Sequence, residues 1–378
     1  MNAWMRGWLL AGGVCWLGCL AADAVEVGHV EVHGFGGWAY GKTDNENRYL
    51  TGSDEGNYDN VNFSLNLIAT PYEHLGIYAQ PSFTESFGEN EIGLDYAFAD
   101  WFARDELRVR AGKVKAPFLL YSEVYDVGTI RPFFELPPSI YQQFAPEAYK
   151  GIGVTGTHFF ENGWSYAYDA YVGELDLMPQ EWVFLEPEPE VYEFSPKIQD
   201  LVGVRFMVQP PVAGWNFGAS AYRGSGSLTG ESSSQVERLI DQYLFWGASL
   251  EYLSDRWWLR SEYLAQHESD AFSLNGVYVE PAVMITKHWQ AAARYEWMEI
   301  TVNALKPFVP RSFFEHQSVA VGLNYWINPN FVLKAAYHIA NGNRCARPSE
   351  LADLIAAFQQ GAFEEETNLL SLGVQFSF

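Results

Sequence analysis

Apolar and polar residues take turns along most of this chain, and the period is two. Leu370, Leu372, Val374, Phe376 and Phe378 alternate with Ser371, Gly373, Gln375 and Ser377, so an extended strand here has one apolar face and one small or polar face. The same division sets Val319, Val321, Leu323 and Tyr325 against Ala320, Gly322 and Asn324, and Phe331, Leu333, Ala335, Tyr337 and Ile339 against Lys334 and His338. Earlier copies are Val61, Phe63, Leu65 and Leu67 against Asn62, Ser64 and Asn66, and Val202, Val204, Phe206 and Val208 against Gly203, Arg205 and Met207. The pattern predicts sixteen strands, centred near residues 35, 63, 79, 95, 111, 155, 169, 204, 219, 248, 262, 280, 294, 321, 335 and 374.

A soluble sandwich would share the alternation. The connections separate the two architectures. Short linkers, 70–74, 97–106, 160–163, 209–214, 253–256, 286–288 and 327–330, take turns with a second set at 41–57, 86–89, 116–149, 174–197, 224–239, 267–272, 301–314 and 341–367. Only the second and sixth of that set are short. Transmembrane barrels sort their loops in this way, with tight periplasmic turns and long outer loops, whereas a sandwich has no reason to. An even strand count brings both chain ends to the periplasmic side. Backbone polar groups in lipid must be paired internally, and a closed barrel is the β solution to that demand. Aromatic residues near predicted strand ends, Trp38, Tyr40, Trp257, Trp258, Trp289, Trp297, Tyr325 and Trp326, are expected to form interfacial girdles.

The first 24 residues place a single base, Arg6, before an uncharged run from Trp8 to Ala22, and Ala22-Asp23-Ala24 offers small residues at −3 and −1. We read residues 1–24 as a signal peptide and residues 25–378 as one barrel domain. A lipidated Cys19 is the competing reading, against which Trp16 stands where such signals prefer Leu. Cleavage after Ala24 leaves Cys345 alone, so the mature chain holds no internal disulfide.

The mature chain keeps the net charge of −24, because the signal removes one base and one acid. With 23 Lys+Arg against 47 Asp+Glu over 378 residues, the chain lacks the clustered cations that nucleic acid requires. Aromatic content of 16% argues against disorder. The mean hydropathy of −0.14, with no further long uncharged apolar run, excludes a bundle of membrane helices. No GxSxG, HExxH or CxxCH motif is present, and the histidines lack ligand spacing, so the expectation is no enzyme and no cofactor.

The terminal Phe378 closing an alternating strand, the turn YWINPNFVLKAAY at 325–337 and the segment RVRAGKVKAPFLLY at 108–121 resemble outer-membrane porins, the turn those of the phosphate-selective type. The resemblance implies a sixteen-stranded, often trimeric, passive channel in a Gram-negative outer membrane, with its third outer loop folded inward. The loop at 116–149 is third and longest. Its Pro117, Pro132, Pro137, Pro138 and Pro146 stiffen it, and Phe118, Leu119, Leu120, Phe133, Phe134 and Ile140 need burial, which the inner wall would supply.

On the lumen face we place Arg108, Arg110, Arg205, Arg260, Arg294 and Lys334, with Asp95, Asp169, Glu251, Glu262, Glu280 and Glu296. These charges read either as a neutralising network or as an arginine row facing Glu123, Asp126 and Glu135 on the third loop, with Arg131 beside them. The second arrangement would set a transverse field across the pore. Phosphate selectivity does not follow, because lysines are few and Lys113 and Lys115 alternate opposite to Arg108 and Arg110 unless Gly112 makes a bulge.

The expected function is therefore diffusion of small hydrophilic solutes or ions. Rival readings are a substrate-specific channel, a partner-housing barrel with its long loop held outside, and a rim-located hydrolase. Acids between Glu174 and Glu193 and at Glu364, Glu365 and Glu366 suit a solvated outer surface, or divalent cations bridging to lipopolysaccharide. Ser349 to Gly361, with Leu351, Leu354, Ile355 and Phe358 in helical spacing, predicts a short helix in the last loop.

Overall fold

The structure is a computed structural model that describes residues 30–104, 106–142, 145–177, 180–184, 190–229, 242–268, 272–303, 309–348 and 364–378. The signal-peptide segment, residues 178–179 and 185–189 of the acidic 174–193 loop and the helix expected after Ser349 lie outside the described residues.

The chain is an all-β closed antiparallel barrel of sixteen strands. In chain order they begin with β1 (Val30–Thr43), after which a two-residue β2 (Gly52–Ser53) sits in the first outer loop, then β3 (Asn57–Tyr72), β4 (Leu75–Ser86), β5 (Glu89–Arg104) and β6 (Leu107–Lys115). The long third loop contains one turn of helix, α1 (Pro138–Tyr141), and leads to β7 (Ala148–Phe159) and β8 (Ser165–Asp176). A short β9 (Gln180–Phe184) pairs with the outer end of β10 (Glu190–Gln209). The wall continues through β11 (Trp215–Thr229), β12 (Gln242–Leu253), β13 (Trp257–Glu268), β14 (Phe272–Met284), β15 (Trp289–Val302), β16 (Glu315–Asn328), β17 (Phe331–Asn341) and β18 (Glu366–Ser377). Every predicted strand centre falls within one of the sixteen, and the tight turns alternate with the longer connections as expected.

The barrel closes where β18 pairs with β1, from Phe35 opposite Ser377 to Thr43 opposite Leu369. Gly34 and Phe378 exchange backbone hydrogen bonds of 3.0 and 2.8 Å, so the last residue completes the ladder. Outside, Val204, Phe206, Val319, Val321, Leu333, Ile339 and Leu372 are all exposed. In water such a band would be an aggregation surface; facing lipid it is what a spanning barrel requires. Trp257, Trp289 and Tyr325 lie on this outer face beside the short turns. Two girdle assignments are corrected. Trp258 and Trp326 have the opposite parity to those neighbours and turn into the lumen, where their rings meet edge to face at 6.2 Å and the Trp326 indole N–H donates to Gln290 at 3.4 Å.

The largest core lies inside the barrel, beneath the third loop. Phe118, Leu119, Tyr121, Leu136, Ile140 and Tyr141 of the loop pack against Tyr171, Tyr222, Phe245, Leu264, Leu274 and Tyr278 of the wall. Phe133 forms a second cluster with Ala282, Ala292, Ala320 and Ala336. Small wall residues there leave room for the ring. Phe134 is buried as well, while Leu120 is half-buried.

Glycines at the seam make space for aromatic rings: a methyl at Gly36 would stand 2.5 Å from the Asn62 carbonyl oxygen and 3.1 Å from the Phe376 ring. Gly36→Val should therefore destabilise the barrel by about 1–3 kcal/mol. The readout is the temperature at which the folded, fast-migrating band is lost on semi-native gels. An unchanged transition would show that the seam tolerates the added side chain.

Candidate functional site

The third loop begins where β6 ends. Lys115 and Arg110 differ in strand parity, yet both reach the loop, and Gly112 between them has φ +133°, a value that favours glycine. The Lys115 ammonium meets Asp126 at 3.1 Å and Glu147 at 2.8 Å, while Gln80 donates to Asp95 and to Asp126, each at 2.7 Å. Asp95, Asp126 and Glu147 offer oxygens close enough together to surround one cation, and the ammonium supplies that charge. Lys113 donates instead to the Leu94 carbonyl at 2.6 Å.

From there the loop is fastened to the wall by charged groups. Arg110 lies 3.4 Å from Asp100 and 3.3 Å from Glu123. Arg205 pairs with Asp169 at 2.9 Å, contacts Glu123 as well, and points a further N–H at the Leu119 carbonyl. Leu119 adopts φ +57°, uncommon for a branched residue, and is held there by complete burial and by the Ser220 hydroxyl accepting its N–H at 3.0 Å.

Glu262 is the main latch. Its carboxylate accepts the Leu120 N–H at 2.6 Å, the Tyr141 hydroxyl at 2.6 Å and the Tyr278 hydroxyl at 2.8 Å. Arg260 spans Glu251 at 2.8 Å, the Tyr121 hydroxyl at 2.9 Å and the Ile130 carbonyl at 2.7 Å. Arg294 pairs with Glu280 at 2.7 Å, donates to the Glu135 carbonyl at 2.9 Å and lies over the Phe133 ring at 4.4 Å. Glu296 accepts the Ser139 N–H at 3.2 Å.

Farther along, Lys334 donates to the carbonyls of Gly128 at 2.9 Å, Arg131 at 2.6 Å and Phe133 at 3.1 Å, and also to the Gln375 side chain. Asn324 donates to the Pro132 carbonyl at 2.8 Å. Arg131 folds back onto its own loop, donating to the Phe134 carbonyl at 3.0 Å and the Tyr125 carbonyl at 2.6 Å. These donors satisfy loop carbonyls that would otherwise be buried without partners.

The charges named from sequence thus meet at contact distance. Arg110, Arg205, Arg260 and Arg294 each have a carboxylate partner, and Glu123 joins two of them. Asp126 goes to Lys115, and Arg131 to carbonyls. Glu135 borders a cavity of about 160 Å³ with Tyr125, Tyr141, Asn60, Ser86 and Gln142. Arg108 stands apart, exposed near the short β5–β6 turn with its guanidinium over the Phe102 ring at 4.9 Å. The tyrosine hydroxyls around Glu262 and the carbonyl contacts of Lys334 had no sequence signal, since they depend on which strand the loop lies against.

No protein-family model matches the chain, and no curated protein sequence matches it. Solved structures do match. OmpT of Vibrio cholerae in its trimer form aligns with TM-score 0.56 and 10% identity, over 93% of this chain and 99% of that one. The outer membrane channel DcaP of Acinetobacter baumannii aligns with TM-score 0.56 and 11% identity, over 92% and 97%. Salmonella typhi OmpF, in complex with daunomycin, aligns with TM-score 0.55 and 10% identity, over 92% and 97%. At such identities the likeness is one of fold, the outer-membrane porin barrel.

Replacing Glu262 by Leu strands three buried donors, each worth about 1–3 kcal/mol when left unmade. Glu262→Leu should lower the melting temperature and give larger, noisier single-channel steps; steps identical to wild type would show that the loop is seated without this latch.

The loop carboxyls respond to pH in opposite senses. Burial pushes the Glu123 carboxyl up, but Arg205 and Arg110 outweigh it and bring it below its ordinary value of 4.5. Its stabilisation is complete above that value and is lost as pH falls through the lower folded value. Burial holds Glu135 above the ordinary range despite Arg131. Its ionisation therefore opposes seating at neutral pH, and the penalty disappears on acidification. Glu135→Gln should raise the melting temperature at pH 7 with a smaller gain at pH 4, and Glu123→Gln should lower it at pH 7; circular dichroism melts in micelles check both signs.

Proposed function

We propose that the protein is an outer-membrane porin, a passive, water-filled diffusion channel for small hydrophilic solutes or ions. The observation that carries this reading is the third loop, which lies inside a closed barrel and buries inward residues of β13 to β18, while on β3 to β6, where among the described residues it is tied only at Gln80, Arg110 and Lys115, Asn62, Asn66 and Ser82 are half-buried and Arg108 is exposed. A constricting loop is what a diffusion pore needs to set its size limit. A barrel built to house a protein partner would instead keep its long loop outside.

In this reading residues 1–24 direct export and the outer apolar band meets lipid, with lipopolysaccharide at the outer leaflet. The protein has no catalytic role, and refolded protein should leave ester and lipid probes unhydrolysed. A homotrimer is part of the proposal; OmpT of Vibrio cholerae, similar in fold, is described in a trimer form. Substrate selectivity is the second reading, favoured by the exposed guanidinium of Arg108 on the lumen side.

Refolded protein in a planar bilayer should give stable conductance steps with a defined reversal potential under a salt gradient. Arg108→Ala combined with Arg110→Ala should shift that potential toward cation selectivity. Silence in the bilayer would remove the channel reading, and very large unselective steps would mean that the loop does not narrow the passage.

A further inference from the structure

The third loop fills the lumen unevenly. Inward residues of β14 to β18, among them Tyr278, Glu296, Ser318, Asn324 and Gln375, are wholly buried beneath the loops. On the opposite wall Ser64, Gln80 and Asp100 are buried, but Asn62, Asn66, Tyr78, Phe98 and Arg110 are half-buried, and Arg108 is exposed. The passage is therefore eccentric and runs along β3 to β6.

That wall carries an aromatic strip. The rings of Tyr78 and Phe98 stack with centroids 5.0 Å apart and planes 9° from parallel, and Arg110 sits 5.7 Å from the Phe98 ring. Tyr78 leans along the wall over Gly76, where an added Cβ would come within 2.6 Å of its ring. Gly76 pairs across the sheet with Asp100, which pairs with Arg110, and the next inward pair is Phe102 with Arg108. The strip thus runs toward Arg108.

The inner charges differ in what they have left to offer. Arg110, Lys115, Arg205, Arg260 and Arg294 are neutralised by carboxylates, and Lys334 is consumed by carbonyls. Among the described residues Arg108 contacts the Phe102 ring and meets no carboxylate. A guanidinium presents a planar fork that matches a carboxylate bidentately. Here the guanidinium carbon lies 4.9 Å from the Phe102 ring and the side chain is exposed.

We propose that the β4–β6 face of the passage is a binding site for small aromatic carboxylates, with Arg108 taking the carboxylate and the Tyr78–Phe98 pair stacking against the ring. This rests on the channel reading and names a solute class for it. The surrounding acids impose a size limit on charge: Asp100 and Glu123 already hold Arg110, so one negative group, not several, is accommodated.

The test uses the full-length refolded protein in micelles, with benzoate as probe and cyclohexanecarboxylate and benzyl alcohol as controls for ring and charge. Binding is read by saturation-transfer NMR titration, which does not depend on conduction. Benzoate should bind saturably and more tightly than either control. Arg108→Gln should weaken benzoate by about tenfold, the scale of one charge-assisted bidentate contact, and Arg108→Lys by less. Tyr78→Leu should erase the preference for benzoate over cyclohexanecarboxylate. Among the described residues Arg108 makes no hydrogen bond or ion pair and contacts only the Phe102 ring, so its variants carry the test if Tyr78→Leu does not fold. Equal benzoate affinity in wild type and Arg108→Gln would overturn the proposal, as would benzyl alcohol binding as tightly as benzoate. Conductance without benzoate binding would remove the site and leave the channel; benzoate binding in a protein silent in bilayers would remove the channel and leave the site.

Discussion

The structure depends first on the pairing of backbone groups where no water can reach them. A strand in lipid has no partner for its N–H and C=O groups except another strand, so the sheet must return to its start. The return is made between β1 and β18, and its final exchange uses Gly34 and the terminal Phe378. Once the ring is closed, alternation sorts the rest: one face of every strand goes to lipid and must be apolar, and the other goes inward and is free to be polar. The aromatic and aliphatic surplus of the sequence is spent on the outer face and on the underside of one loop.

Closure creates a second problem, which the inner charges solve. A loop of this length laid inside the barrel brings in backbone carbonyls and amides that leave water. Glu262, Arg260, Arg294 and Lys334 meet them from the wall, and the loop returns Tyr121, Tyr141 and Glu123. Charge-assisted bonds of this kind are stronger than neutral ones, and breaking one partner leaves the other buried and unsatisfied. Most of the inner charge is thus structural. Among the described inner charges Arg108 is left outside this network, beside the Phe102 ring.

The strands were legible in the sequence because period two survives any register, and loop parity identified the membrane-spanning architecture without knowledge of which strand pairs with which. Inward placement of Arg205, Arg260, Arg294 and their acids followed from the same parity. Their partners did not. Whether Arg205 faces Glu123 across a lumen or touches it depends on where the loop runs, and nothing in local sequence fixes that path. Gly112 shows the limit: it was the one position at which a break in alternation could be suspected, and Lys115 reaches inward past it. Trp258 and Trp326 misled because aromatic type suggested an interface while parity put them inside.

The loop's attachments also fix an order of events. Residues 116–147 are synthesised before every strand that fastens the loop's far limb, and their partners include Ser377 and Gln375 at the very end of the chain. The limb of the loop held by Lys334, Gln375 and Ser377 cannot be seated until the last hairpin has arrived, and the last hairpin completes the wall. Seating of that limb and closure of the barrel therefore depend on the same two strands. Thr129 and Phe134, bonded to Ser377 and Gln375, tie the inside of the barrel to the strand that closes its wall.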